Sequence, residues 1–198
     1  MGIATGVVYL RLFIRLLIGL ILLSVSVSKM SHPRRFQRGI HDYQVLPRVL
    51  ESRIAISTFL SYCIPLAELL AGLGLISGFL LVPTIGLTLG LFVLFSYAIL
   101  INLIRGRHDL SCHCAGVIGD HRISWWLIAR NSLLIVSLLV LLLTPPDIFT
   151  FEMLLRSPSL LNSVLFSTVL PVALLVGAVL AALVLVNYAR VLWNPGPR

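Results

Sequence analysis

Cys112-His113-Cys114 is the place in the chain where residue type and spacing together suggest covalent chemistry. Two thiols separated by one residue can close only a very small ring. Such a disulfide is expected to be strained, and strained bridges are the readily reduced ones. The pair therefore suits thiol–disulfide exchange better than it suits a structural staple. The surrounding segment, Arg105–Ile123, is polar, carries Gly106, Gly116 and Gly119, and holds three of the five histidines. Arg105, Arg107 and Arg122 favour the reactive thiolate, and Asp109 and Asp120 partly offset them. Two other readings stay open. Cys112 and Cys114 could bind a metal with His108, His113 or His121, but a lone C-x-C matches the usual zinc spacings weakly, and no metal ligand set is assigned. They could also be ordinary unpaired thiols. A third cysteine, Cys63, lies inside an apolar run and reads as a small packing residue. With three cysteines there is no second pair, so a redox reading needs a further electron carrier. A quinone or another protein would serve.

The elements that hold this segment are membrane helices. The chain has 198 residues, 59% hydrophobic and 11% charged. A soluble domain carries about 25% charged residues, so there is too little polar surface here to coat a globule and the solvent must include lipid. Five apolar runs are long enough to span: Val7–Ser28, Ile54–Leu80, Val82–Ile104, Ser124–Leu143 and Leu160–Tyr188. Short links between them predict an all-α fold, an antiparallel bundle of four core transmembrane helices plus a fifth C-terminal helix. Residues 1–143 are expected to form the core, and 144–198 a surface segment with the fifth helix. The first run reads as a retained helix, not a signal peptide, because Lys29 follows it and no small-x-small cleavage site does.

Between the first two runs, residues 31–52 contain Arg34, Arg35, Arg38 and Arg48, with Phe36, Ile40 and Tyr43 on one helical face. Both a short amphipathic surface helix and a solvated loop fit this stretch. The formal charge of +8 comes from such loops, and no basic stretch is interleaved with aromatics, so nucleic acid is not an expected partner. The loops after the first and third runs, with the C-terminus, carry nearly all the basic residues outside the helices. The positive-inside rule then places the N-terminus outside and the Cys112 loop in the cytoplasm.

Polar groups within the runs need partners, because a charge near the bilayer centre costs roughly 2.5–3.5 kcal/mol. They are Arg11 and Arg15 in the first run, Glu68 in the second, and Arg130 and Asn131 in the fourth. At about 1.5 Å per residue, Arg15 and Glu68 both lie roughly 12–18 Å from the outer ends of their helices. Depth therefore predicts that Glu68 pairs with Arg15 and also reaches Arg11, leaving Arg130 to other partners. A structural ion pair of this kind explains Glu68 more simply than proton handling or a quinone-pocket wall does.

Several of these residues form a pattern that resembles the MauE branch of the MauE/DoxX-like membrane proteins, over about residues 10–143. They are Lys29 followed by Phe36 and Tyr43; Pro65-Leu-Ala-Glu68 with Gly72; Arg105-Gly106 ahead of Cys112-x-Cys114-x-Gly116; and Ile123-Ser-Trp-Trp with Arg130-Asn131. The cysteine–glycine motif followed by Arg-Asn is the specific part. The resemblance implies a redox-associated multi-pass protein, a candidate thiol–disulfide oxidoreductase with Cys112 and Cys114 as its redox pair. It implies a role in maturing the disulfide-rich small subunit of methylamine dehydrogenase, with a thioredoxin-like partner, in methylamine metabolism. Glu68, Arg130 and Asn131 would be family-typical intramembrane polar residues. His113 and Ala115 depart from the pattern, which has a small residue and an aromatic there. Methylamine dehydrogenase matures outside the cytoplasmic membrane, whereas the charge bias puts the cysteine loop inside. Against the redox reading stands a non-catalytic subunit or assembly factor of a larger membrane complex. A transporter is disfavoured, since no matching pair of interrupted segments is present.

Overall fold

The computed structural model describes residues 2–43, 54–107, 110–112, 121–144 and 169–193. Helix α1 spans Gly2–Ser31, α2 Pro33–Tyr43, α3 Ile54–Ser77, α4 Leu81–Ile104, α5 Trp125–Leu143 and α6 Leu170–Trp193. Strands β1 (Ser111–Cys112) and β2 (His121–Arg122) form a short antiparallel ladder between α4 and α5. Among the described residues, stretches of α1, α3, α4 and α5 are long and apolar enough to cross a membrane. Helix α6 is 24 residues long, and its described apolar stretch is Leu170–Ala182. The expected second surface segment, Thr144–Ser159, lies outside the described residues beyond Thr144.

The four spanning helices close into a ring, with α1 against α3, α3 against α4, α4 against α5, and α5 back against α1. All four contribute to one core: Ile18 and Leu22 from α1, Ala71 and Leu75 from α3, Ile85, Leu91 and Phe92 from α4, and Leu138 and Leu141 from α5. Their outward faces present large apolar side chains such as Phe59, Leu70, Val93 and Leu133. Such a surface is stable only against hydrocarbon, which makes the protein a multi-pass membrane protein. Helix α6 packs outside the ring, where Val172 and Val176 meet Leu12 and Leu16 of α1.

The α1–α3 contact sets the register of the bundle. A Cβ added at Gly72 would lie 3.0 Å from the Gly19 carbonyl oxygen, so the two backbones touch at this pair of glycines. Small residues permit such an approach, and in lipid close packing is what drives helices together. A second tie lies two turns along, where the Ser26 hydroxyl donates to the Pro65 carbonyl at 2.7 Å.

Helix α2 is docked, not loose. Phe36 and Gly39 are buried against the bundle, Ile40 and Tyr43 are half-buried, and Arg34, Arg35 and Arg38 are exposed. Gln37 donates to Thr58 of α3 at 2.9 Å, and Asn102 of α4 donates to the Tyr43 carbonyl at 3.0 Å. Over Pro33–Tyr43 the helical alternative is thus the one realised, and specific bonds to α3 and α4 hold it in place, while residues 44–53 lie outside the described ones.

Candidate functional site: a buried ion pair beneath a cysteine hairpin

Lys29 and Glu68 form a buried ion pair, Nζ to Oε1 at 2.5 Å, with the residues 4% and 0% exposed. The Lys29 ammonium also lies over two aromatic rings, 4.7 Å from the centroid of Phe36 and 4.5 Å from that of Phe95. Surface helix α2, spanning helices α1 and α3, and α4 therefore meet at one cation. Glu68 Oε2 is buried and has no hydrogen-bond partner among the described residues.

The expected Glu68–Arg15 pairing, extended to Arg11, does not form. The reason lies in side-chain direction. Helical side chains lean toward the N-terminus of their own helix. The Gly19–Gly72 and Ser26–Pro65 contacts put Lys29 about six residues, or roughly 9 Å, beyond Glu68 along the axis. Because α1 and α3 are antiparallel, the two side chains lean toward each other and close that gap. Arg15 lies about 12 Å from Glu68 on the other side, and the two lean apart. Equal depth of Cα atoms is a poor guide to pairing when the side chains are long.

Arg11 serves a different purpose. Its guanidinium donates to the Leu141 carbonyl at 3.4 Å. That carbonyl belongs to the last turn of α5, where backbone acceptors lack helical partners and the helix dipole favours a cation. Arg15 is buried in α1, Asn131 is buried in α5, and Arg130 is partly buried with its Nε unpartnered. Glu68, Arg11 and Arg130–Asn131 thus occupy separate places in the bundle. Lys29, by contrast, enters the sequence reading only as a loop charge and a motif residue. A signal for its burial is nevertheless present: it is the sole lysine among 15 basic residues and follows an apolar run without a break.

The cysteine segment is tied to the same end of the bundle as α2. Helix α4 ends in a Schellman motif, in which Gly106 N–H donates to the Leu103 carbonyl and Arg107 N–H to the Asn102 carbonyl, both at 3.0 Å. Gly106 has φ +71°, the left-handed conformation this motif requires, so the Arg105-Gly106 dipeptide is the device that turns the chain out of the membrane. The Ile123 N–H donates to the Leu110 carbonyl at 2.9 Å, next to the Ser111–Arg122 and Cys112–His121 pairings. Leu110 and Ile123 then pack with Ile99, Leu103, Leu127 and Tyr43. The base of the hairpin is therefore fixed to α4, α5 and the end of α2, and among the described residues Cys112 occupies its last paired position. Cys114, His113 and His108 lie outside the described residues. Cys63 is a half-buried free thiol on α3.

A family model described as "Methylamine utilisation protein MauE" matches residues 7–144. The chain is 27% identical over 121 residues to the methylamine utilization protein MauE of Paracoccus denitrificans, covering 61% of this chain and 62% of that protein. It is 30% identical over 120 residues to the MauE of Methylorubrum extorquens, covering 61% of each. The chain thus spans less than two thirds of the length of these curated relatives. No solved structure matches it.

Proposed function

Given that the chain belongs to the MauE family of methylamine utilisation proteins, we propose that it is a membrane thiol–disulfide redox or maturation factor. It acts with a thioredoxin-like partner, and its client is a disulfide-rich protein of methylamine metabolism. What carries this reading is the placement of Cys112 in the paired base of a hairpin that is packed onto the bundle, with Cys114 two residues further along the chain. Such a base holds the Cys112 backbone at a defined height above the membrane.

The exchange balances within the pair and its partner. The thiolate of Cys112 attacks one sulfur of the partner disulfide, and the other partner sulfur leaves as a thiolate. Cys114 then attacks the Cys112 sulfur of the mixed disulfide. The products are a Cys112–Cys114 disulfide and a partner dithiol, with two electrons passed to the partner. The reverse sequence oxidises the partner instead. Cys63 lies within α3 and is no second pair, so regeneration falls to the partner or to a quinone in the bilayer.

The test uses Cys114→Ser with a purified thioredoxin-type protein in its oxidised form. Without the resolving thiol, a mixed disulfide through Cys112 accumulates as a thiol-reducible band on a non-reducing gel. Neither single serine variant forming such a band would remove the redox reading.

The residues nearest the cysteine end support a cytoplasmic placement for it. Arg34, Arg35, Arg38, Arg105 and Arg107 all belong to this end of the bundle. A membrane-impermeant thiol reagent is therefore expected to label Cys112 and Cys114 only after the cells are permeabilised. Labelling of intact cells would invert the topology.

A further inference from the structure

At the corner between α1 and α2, an open depression of about 420 Å³ is lined by Ser31, His32, Pro33, Arg34, Arg35 and Arg38. We infer that this depression binds the phosphate headgroup of an anionic phospholipid, with Arg34, Arg35 and Arg38 as its ligands.

The charge is concentrated and uncompensated. Three arginines fall within five consecutive residues, and no acidic residue stands in the first turn of α2. The one carboxylate of this helix, Asp42, is at its far end, and no ion pair to Arg34, Arg35 or Arg38 is present among the described residues. Like charges three and four positions apart on a helix repel one another. Geometry nevertheless gathers them. The Arg38 Nε donates to the Arg34 carbonyl at 3.4 Å, which folds this side chain back toward the depression. Exposed arginines held together in this way suit an anion with several oxygens, because guanidinium forks match phosphate geometry.

Position selects a lipid as the source of the phosphate. The depression begins at Ser31, the last residue of α1, a helix that carries no charge from Leu16 to Ser28. Val27 and Met30, directly below, are 56% and 53% exposed and face outward, where acyl chains pass. A phospholipid lying along this face puts its chains on Val27 and Met30 and its phosphate at the height of Arg34. The buried Phe36 and the bonds of Gln37 keep α2 from rotating its arginines away.

The probe is phosphatidylglycerol added to the full chain in detergent, with phosphatidylcholine of the same acyl chains as the control and bound lipids counted by native mass spectrometry. Phosphatidylglycerol is expected to bind at least about tenfold more tightly than phosphatidylcholine. Replacing all three arginines by glutamine is expected to weaken phosphatidylglycerol binding on the order of 100-fold, since about 1 kcal/mol per basic residue at a membrane surface sums to about 3 kcal/mol and about 1.4 kcal/mol is tenfold. Replacing all three by lysine keeps the charge but loses the guanidinium forks, and is expected to bind more weakly than the original and more tightly than the glutamine variant. Equal binding of the two lipids by the unmodified chain would overturn the inference without recourse to any variant. So would undiminished phosphatidylglycerol binding by the glutamine variant. Displacement of phosphatidylglycerol by millimolar inorganic phosphate would make this a site for free phosphate and likewise overturn the lipid assignment.

Discussion

Lys29→Met is expected to be among the most damaging single substitutions in the bundle, costing about 3–5 kcal/mol, the range for stripping one partner from a buried ion pair. Glu68 has a short side chain rooted roughly 14 Å from the Ser77 end of a helix about 36 Å long. It cannot reach water. With its cation gone, it is left with one oxygen that had no partner to begin with and another that has just lost its own. Glu68→Leu is expected to cost less, about 1–3 kcal/mol, because Lys29 stands two residues from the end of α1 and its four-carbon stem can turn outward to the headgroups. The double variant Lys29→Met/Glu68→Leu leaves no charge behind and is expected to recover most of the loss. Thermal unfolding in detergent of the four proteins in this cycle measures the coupling directly. A double variant as unstable as Lys29→Met alone would show that the damage comes from packing against Phe36 and Phe95. Glu68→Gln adds a functional readout, since a variant that assembles normally yet loses thiol exchange would give the carboxylate a part in the chemistry.

Cys112→Ser/Cys114→Ser is expected to reduce thiol–disulfide exchange with a thioredoxin-type probe to the uncatalysed background while leaving accumulation of the protein unchanged. A hydroxyl is close in size to a thiol but cannot form the mixed disulfide through which exchange runs. Folding should be spared because the hairpin base rests on the bond from Ile123 N–H to the Leu110 carbonyl and on apolar packing of those two residues, none of which the substitution touches. The probe's redox state, read by thiol alkylation and gel mobility, checks the first half, and the amount of protein in the membrane fraction checks the second. Full biological function of the double variant would leave only the assembly-subunit reading.

The spanning helices are legible in the sequence because hydrocarbon imposes a length and an apolar content that few other folds share. Their observed ends fall within a few residues of the apolar runs for α3, α4 and α5. The Gly106 turn is also legible, as glycine after an apolar run announces a helix C-terminus. What composition and depth do not give is the partner of Glu68. That depends on which helix lies beside α3, on the glycine contact that fixes their offset, and on the opposed lean of side chains in antiparallel helices. None of these is a property of one segment. The amphipathic helix α2 is undecided on sequence alone for a similar reason. Eleven residues are too few to commit to a helix in isolation, and the bonds that hold this one involve Thr58 and Asn102, far along the chain.

The Arg11–Leu141 bond joins residues 130 positions apart, whereas the Lys29–Glu68 pair joins residues 39 apart. At a synthesis rate of about 5–20 residues per second, Glu68 follows Lys29 from the ribosome within roughly 2–8 s. Leu141 follows Arg11 only after roughly 6–26 s. Order of synthesis therefore lets α1 and α3 settle the Lys29–Glu68 charge before α5, which supplies the Leu141 carbonyl that Arg11 reaches, has been made.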